Sequence, residues 1–374
     1  MTVLVRAPRI VTAEVDLPDA WLAVDRGRVV ALGTGVAPAH DLVVEAPGAV
    51  LPAFVDLHAH GALGYDFASC SVAEARAAAA HHAARGTAHL VASIATGTVP
   101  DTVAALHRLR PLVDDGTLAG LHLEGPWLAP ARRGAHAAGL LHPPSPDEVD
   151  LFVDAGGAAL RIVTLAPELP GALDAVRRLV ASGIVVAVGH TDADADPVRA
   201  AVDAGATLVT HLFNGMPPLH HREPGPVGVA LTDERLTVEC IVDGHHLDPV
   251  TVDLVHGAVG DRLVLVSDAM AATGCADGRY RIAGSEVVVS DGVARLADGS
   301  SLAGSTITVA DAVARFVDGR PDRLPSAVRA SSVRAVSVLG LRPPLSVGAA
   351  ADLVVLGPSG SAGPLPLAPA GSTT

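Results

Sequence analysis

The residues best suited to chemistry are histidines that end an apolar, strand-like run. His58 and His60 follow the run that begins at Ala49. Alternate residues of a strand point to the same side, so both imidazoles can face one point. Neutral imidazole is the commonest metal ligand in proteins. The pair therefore predicts half of a metal site.

The same event recurs along the chain, where later predicted strands also end in a possible ligand, namely Glu124, His190, His211 and Asp268. Nitrogen donors suit Zn²⁺ or Fe²⁺, and a carboxylate can bridge two ions. Such a site lowers the pKa of a bound water to about 7, and a loosely held carboxylate can serve as general base. We therefore predict a divalent-metal hydrolase with one or two ions per subunit, Zn²⁺ first and Fe²⁺ as the alternative.

The elements that must position these residues alternate between strands and helices. Apolar runs separated by helical patterns predict eight strands, at Val50–Leu57, Ala88–Ser93, Leu118–Leu123, Ala159–Leu165, Ile184–Val188, Thr207–Thr210, Thr237–Val242 and Leu263–Ser267. Eight strands joined by crossovers predict an α/β fold of the (β/α)8 TIM-barrel type, whose sites lie at the carboxyl ends of the strands.

The two ends of the chain read differently from its middle. Short strand patterns in residues 1–51 and again in 340–358 predict a small β-sandwich domain built from both ends, with the barrel at 52–339 between them. Alternating residues around 279–299 predict a β-hairpin inserted in the barrel. Residues 359–374 are rich in Gly, Ser, Pro and Ala and predict a disordered tail.

Composition excludes several classes of function. The 374 residues carry a net charge of −14 and no lysine, so a nucleic-acid groove, a Schiff-base lysine and a carbamylated-lysine metal bridge are not expected. Three scattered cysteines indicate no disulfide framework. With neither a signal-peptide pattern nor a run of about 20 apolar residues, we expect a cytoplasmic protein without a membrane partner.

Four stretches resemble the motifs of the N-acetylglucosamine-6-phosphate deacetylases, a family of the amidohydrolase superfamily. They are His122-Leu-Glu-Gly-Pro-Trp127, Thr210-His-Leu-Phe-Asn214, Asp243-Gly-His-His246 and Ser267-Asp-Ala-Met-Ala-Ala-Thr-Gly274. The resemblance implies hydrolysis of the acetamido group of N-acetyl-D-glucosamine 6-phosphate to acetate and D-glucosamine 6-phosphate, in amino-sugar catabolism or recycling. It also implies a homodimer whose loops complete each other's phosphate site.

The resemblance further implies roles for the metal-site residues. Glu124, His190 and His211 would hold the principal ion, and Asp268 would be the acid/base. Some members lack the first-strand histidines and use one ion. This chain keeps both, which favours a second ion bridged by Glu124. His122, two residues before Glu124, is expected to support the site from outside the ligand set at most.

The same resemblance implies contacts for the sugar phosphate. Arg222 would bind the phosphate with Asn214 and the main-chain N–H of Gly215. His246 would lie near the substrate carbonyl or sugar and act in catalysis, and His136 would contact the sugar. Ala303 and Gly304 belong to a segment that would approach the substrate closely.

Two other functions remain open from the sequence. One is another amidohydrolase with the same ligands, such as an N-acetylgalactosamine-6-phosphate deacetylase, an N-acyl-amino-acid deacylase or a deaminase. The other is a non-catalytic amidohydrolase-like scaffold. A scaffold is expected to lose ligands, and all six are present here.

Overall fold

The largest sheet of the computed structural model, which describes residues 1–342, 345–357 and 361–367, is the barrel. Its eight parallel strands lie in chain order, at Phe54–Ala59, Thr87–Ala95, Gly120–Glu124, Leu160–Leu165, Val185–Val188, Leu208–Val209, Thr237–Ile241 and Leu263–Val266. Because each strand carries apolar residues on both sides, one set packs inside the barrel and the other against the helices. The prediction of a (β/α)8 barrel is confirmed.

Helices follow most of the strands and cover the outside of the barrel. Several start at side-chain caps, as where Ser71 and Glu74 form a capping box before Val72. The α-helices are Val72–Ala84, Val99–Asp114, Pro146–Gly156, Ala172–Ala181, Ala195–Asp203, Gly225–Thr232, Pro249–Val259, Val309–Val317, Leu324–Val328 and Arg334–Val338. The last two are joined by a π-helical turn, Arg329–Val333.

The first and eighth strands meet at the end of the barrel where the ligands lie. The main-chain N–H of Asp268 donates to the carbonyl of His58 at 2.8 Å, and that of His60 donates to Ala269 at 2.7 Å. Below them the Ser267 hydroxyl donates to the buried carboxylate of Asp56 at 2.5 Å. These bonds hold together residues more than two hundred positions apart in the chain.

Both chain ends contribute to the second sheet. Its seven strands are Thr2–Val11, Asp16–Asp25, Arg28–Thr34, Leu42–Glu45, Ala49–Pro52, Leu353–Leu356 and Ala362–Pro364. The predicted β-sandwich is therefore a single hydrogen-bonded sheet, not two, and it encloses its own apolar core. The run predicted as one strand from Val50 to Leu57 divides after Pro52, because Ala49–Pro52 pairs with Leu353–Leu356 in this sheet whereas Phe54–Ala59 pairs with Thr87–Ala95 in the barrel.

Two local predictions need correction. The predicted hairpin is a three-stranded antiparallel sheet, Gly278–Ile282, Ser285–Ser290 and Val293–Leu296, so one strand was missed. The predicted disordered tail includes a strand, Ala362–Pro364, which pairs with Leu353–Leu356 because nearby leucines pack on the small core. Residues 359–360 and 368–374 of that prediction lie outside the described residues, as do residues 343–344 and 358 of the predicted small domain.

Within the described ranges, none of the helices is both long and apolar enough to cross a lipid bilayer. The longest helix, Val99–Asp114, has 16 residues, whereas a membrane span needs about 20.

Candidate metal centre

The first ligand group comes from the ends of the third, fifth and sixth barrel strands. It consists of Glu124, His190 and His211, all buried. The Nε2 atom of His190 lies 3.1 Å, and that of His211 3.0 Å, from Oε1 of Glu124. Two imidazole nitrogens converging on one carboxylate oxygen are the donor set that a divalent ion binds.

The second ligand group joins the first and eighth strands. It consists of His58, His60 and Asp268, also buried. The Nε2 atoms of the two histidines are 3.2 Å apart. Oδ1 of Asp268 lies 3.6 Å from Nε2 of His58 and 3.4 Å from Nε2 of His60.

The carboxylate of Glu124 faces both groups. Its Oε1 is directed at His190 and His211, and its Oε2 lies 3.0 Å from Nε2 of His60. Oε1 also lies 3.5 Å from Nε2 of His58, so the carboxylate stands between the two groups, where it could bridge two ions. These residues fit divalent cations, because in each group the ring nitrogens and a carboxylate oxygen lie within 4.8 Å of one another.

Opposite charges determine the protonation of these side chains. Although burial raises the pKa of Glu124, the charge of His58 and hydrogen bonds from His136 and His190 hold it well below its usual value. Burial lowers the pKa of His60, but hydrogen bonds to Asp268 and Glu124 raise it to about 9. The neighbouring carboxylates thus favour the protonated form of His60 in the ion-free site, and a cation bound there would displace that proton.

Three of the six ligands lie on unusual backbone. His190 (φ 46°), His211 (φ 26°) and Asp268 (φ 48°) are all in the left-handed region, which residues with a Cβ rarely adopt. Such conformations persist only where the surroundings enforce them, and they cluster at functional sites. Each turn carries its side chain from the end of a strand into the mouth of the barrel.

Hydrogen bonds on the far ring nitrogens orient the ligands. Nδ1 of His190 donates to the carbonyl of Arg132 at 2.7 Å, which leaves Nε2 as the ligand nitrogen. His122 lies in a polar layer beneath the ligands, between the hydroxyls of Ser93 (2.9 Å) and Thr164 (2.8 Å). Burial lowers the pKa of His122 well below its usual value, so the ring is neutral.

A pocket of about 190 Å³ lies over the two ligand groups. Five of the predicted substrate residues line it, namely His136, Asn214, Gly215, His246 and Gly304. Ile282 and Leu302 add an apolar part to its wall. A lining of mainly polar groups with a few apolar side chains suits a small polar molecule that carries an apolar group.

His246 is held by Asp243, a residue that the sequence analysis did not single out. Oδ2 of Asp243 lies 2.7 Å from Nδ1 of His246, and its Oδ1 accepts the main-chain N–H groups of His245 and His246, each at 2.8 Å. With Nδ1 engaged, Nε2 of His246 is the ring nitrogen that can face a substrate.

His136 contacts the ligands as well as lining the pocket. Its Nδ1 accepts the main-chain N–H of Thr96 at 3.3 Å, so in the neutral ring Nε2 carries the hydrogen. Nε2 lies 3.3 Å from Oε2 of Glu124. Burial lowers the pKa of His136 to about 4, which keeps the ring neutral.

Two predicted substrate residues do not reach the pocket. Arg222 is exposed on the loop after the sixth strand, and its Nη1 lies 2.8 Å from Nε2 of His221. Ala303 is only 1% exposed and belongs to the apolar cluster that contains Met270 and Ala294. The side chain of Ala303 therefore packs away from the pocket that its neighbour Gly304 lines.

The sequence analysis also missed a buried carboxylate, Glu239. It lies on the seventh strand, Thr237–Ile241, and Oε2 is 3.3 Å from Nδ1 of His58. A charge inside an otherwise apolar strand was a signal that could have identified it. Ile282 had no such signal, because only the folded three-stranded sheet brings it to the pocket.

The sequence is similar to that of a known family and of characterised enzymes. Residues 49–369 match the sequence profile of the amidohydrolase family. The chain is 38% identical to the N-acetylgalactosamine-6-phosphate deacetylase of Escherichia coli O157:H7, over 80% of each chain. It is 36% identical to the N-acetylglucosamine-6-phosphate deacetylase of Vibrio furnissii, over 79% of this chain and 75% of the relative.

A solved structure resembles the whole molecule. It is the N-acetyl-D-glucosamine-6-phosphate deacetylase of Mycobacterium smegmatis, with 43% identity and a TM-score of 0.93 over 98% of both chains. The barrel, the small sheet and the order of their strands are therefore shared with a protein of nearly the same extent.

Proposed function

The chain belongs to the amidohydrolase family, and on that premise we propose that it hydrolyses the acetamido group of N-acetyl-D-glucosamine 6-phosphate. The products are acetate and D-glucosamine 6-phosphate. One observation carries the proposal: two buried ligand groups share Glu124 at the mouth of a barrel that resembles a deacetylase of this substrate over 98% of both chains. The galactosamine epimer is named for the relative from Escherichia coli O157:H7, which at 38% identity lies between the glucosamine enzymes of Vibrio furnissii (36%) and Mycobacterium smegmatis (43%).

The chemistry needs a nucleophile and a proton carrier. When bound, a divalent ion supplies Lewis acidity and a source of hydroxide near neutral pH. Although burial raises the pKa of Asp268, the charges of His58 and His60 hold it well below its usual value, so the carboxylate is ionised. Asp268 accepts a proton from the attacking water as the new C–O bond forms. It then gives that proton to the amine nitrogen as the C–N bond breaks.

The remaining pocket residues orient and stabilise the reacting group. His246, fixed by Asp243, can donate from Nε2 to the developing oxyanion of the acetyl carbonyl. Ile282 and Leu302 offer apolar surface that fits the acetyl methyl and excludes water from it. His136 and Gly304 restrict the space from the other sides.

We propose Zn²⁺ as the ion, because borderline nitrogen donors and a carboxylate suit it, with Fe²⁺ as the alternative. The two separate ligand groups and the position of Glu124 between them support a proposal of two ions per subunit. The six side chains present enough donors for both.

The 6-phosphate is proposed to lie beyond the pocket, where a second subunit completes its site. None of the described residues that line the pocket is an arginine. Arg222 is exposed on its loop, where its Nη1 contacts Nε2 of His221, and in the proposed dimer this loop would extend to the neighbour's pocket mouth. A guanidinium is well suited to a phosphate. We therefore propose a homodimer in which the loop of one subunit serves the other.

Acetate release tests the function directly. The purified protein is assayed with N-acetyl-D-glucosamine 6-phosphate before chelation, after chelation, and after Zn²⁺ or Fe²⁺ is returned. We expect activity, its loss on chelation, and recovery with metal. The galactosamine epimer and N-acetylglucosamine without phosphate serve as comparison substrates.

Two outcomes would overturn the proposal. Activity that persists in protein shown by elemental analysis to be free of metal would remove the metal mechanism. Faster release from the galactosamine epimer, or from the unphosphorylated sugar, would show that the substrate is assigned incorrectly.

A further inference from the structure

A buried carboxylate outside the two ligand groups faces the metal centre from below. Glu239 lies on the seventh barrel strand and is 1% exposed. Its Oε2 is 3.3 Å from Nδ1 of His58 and 3.4 Å from the main-chain nitrogen of His211. Glu239 thus contacts the imidazole ring of His58 in the second group, whereas in the first group it contacts only the main chain of His211.

The contact with His58 determines which nitrogen of that ring can bind an ion. A carboxylate accepts hydrogen bonds, so Nδ1 beside Glu239 carries the hydrogen. Nε2 is then left with its lone pair directed at His60, Glu124 and Asp268. Carboxylate partners of this kind fix the tautomer and orientation of a ligating histidine and increase its basicity.

The charge of Glu239 matters as well as its position. Two divalent ions would bring four positive charges into a buried space that holds the carboxylates of Glu124 and Asp268. Unbalanced charge is costly in a low-dielectric interior. A third carboxylate within 3.3 Å of a ligand ring offsets part of this charge.

We propose that Glu239 is a positioning residue for the second ion, the one held by His58, His60 and Asp268. Through His58 it holds the ligand nitrogen in place and contributes negative charge to that group. It has no corresponding ring contact with His190 or His211, so the ion of the first group does not depend on it. The inference rests on the proposed two-ion centre.

The test is selective metal binding by Glu239→Gln, which keeps the shape of the side chain and removes its charge. Metal-free protein is titrated with Zn²⁺ by calorimetry, and bound metal is counted by elemental analysis after dialysis. We expect the first ion to bind as in the parent. The dissociation constant of the second should rise about 10- to 100-fold, so that dialysed protein retains one ion instead of two.

Two further variants separate positioning from general damage to the strand. Cys240→Ala changes the next buried residue of the same strand and leaves Glu239 in place, so both ions should bind normally. Glu239→Asp keeps the charge but retracts it from His58, and we expect a smaller loss confined to the second ion. Should Glu239→Gln fail to fold, Glu239→Asp still decides the question.

Several results would overturn the inference. They are equal weakening of both ions in Glu239→Gln, unchanged binding of both, or a parent protein that holds one ion only. These measurements do not use the substrate. A parent that binds two ions but releases no acetate would overturn the proposed function and leave the role of Glu239 standing.

Discussion

Glu124 is the side chain on which the two ligand groups depend together. Its two oxygens face different histidines, at 3.0 Å from Nε2 of His211 and 3.0 Å from Nε2 of His60. A chain without lysine cannot form a carbamate bridge between ions, and a glutamate at the end of the third strand offers the same two donors. Glu124 can thus take the bridging position that a carbamylated lysine would otherwise occupy.

A substitution at Asp268 tests proton transfer at this scale. Asp268→Asn keeps the shape but cannot accept a proton from water. We expect kcat to fall by about 10²- to 10⁴-fold, the usual contribution of a general acid/base. The ion of Glu124, His190 and His211 should remain bound, because none of its ligands changes. Acetate release and elemental analysis of the variant measure the two effects.

The control for this change is Asp253→Asn, which removes a half-buried partner of Arg320 and Arg323 that does not line the pocket. Its kcat should match the parent. If Asp268→Asn turns over at the parent rate with its metal retained, the acid/base assignment is wrong.

At the scale of elements, the site depends on a segment that continues the barrel beyond its eighth strand. The main-chain N–H of Ser305 donates to the main-chain carbonyl of Asp268 at 2.7 Å, and the N–H of Met270 donates to the carbonyl of Ser305 at 2.9 Å. The hydroxyl of Ser305 donates to Ser267 at 2.5 Å. The segment after the three-stranded sheet therefore holds the backbone that carries Asp268.

Gly304 shows how closely that segment packs, and it gives a second prediction. Its φ is +66°, and a Cβ there would lie 2.9 Å from the carbonyl of Asp268. Gly304→Ala should lower the free energy of unfolding by roughly 1–3 kcal/mol through backbone strain. It should also lower kcat, because Asp268 is displaced. Urea unfolding and acetate release measure the two.

Gly284→Ala is the matched control, since its φ is +77° and its Cβ would meet nothing within 4 Å. It should show the loss of stability from strain without the loss of kcat. Equal kinetics in the two variants would contradict the proposed contact between Gly304 and the catalytic segment.

At the scale of the whole molecule, the question is how an acidic protein binds a phosphate. The net charge is −14, and no arginine lines the described part of the pocket. Arg222 is exposed rather than folded over its own site. The symmetric dimer that we propose would solve this problem, because the loop of each subunit would complete the phosphate site of the other.

Mixing two inactive variants tests whether Arg222 acts across subunits. Arg222→Ala and Asp268→Asn proteins are unfolded, mixed in equal amounts and refolded. In a heterodimer one site then combines an intact Asp268 with the partner's intact arginine. We expect about a quarter of the parent activity at low substrate, because half of the dimers hold one working site of two.

Each variant refolded alone is the control and should stay inactive at that substrate concentration. No recovery in the mixture, although both proteins form dimers, would mean that Arg222 serves its own subunit. Parent-like activity of Arg222→Ala refolded alone would mean that Arg222 has no part in phosphate binding.

Much of the fold could be predicted because its signals are local. Apolar runs, helix caps and glycines at helix ends repeat along the chain, and a repeated strand and helix pattern closes into a barrel in few ways. The break after Pro52 and the strand at Ala362–Pro364 were missed, because both depend on pairing with Leu353–Leu356. Pairing partners distant in sequence leave little mark on either segment.

For the site, the sequence by itself determined the ligand types and their places at strand ends, since imidazole and carboxylate chemistry belongs to each residue alone. Only the tertiary structure decided that Glu239 faces His58, 181 positions away, and that Arg222 lies outside the pocket. The physical reason is that burial and orientation arise from contacts between strands, which no single stretch of the chain contains.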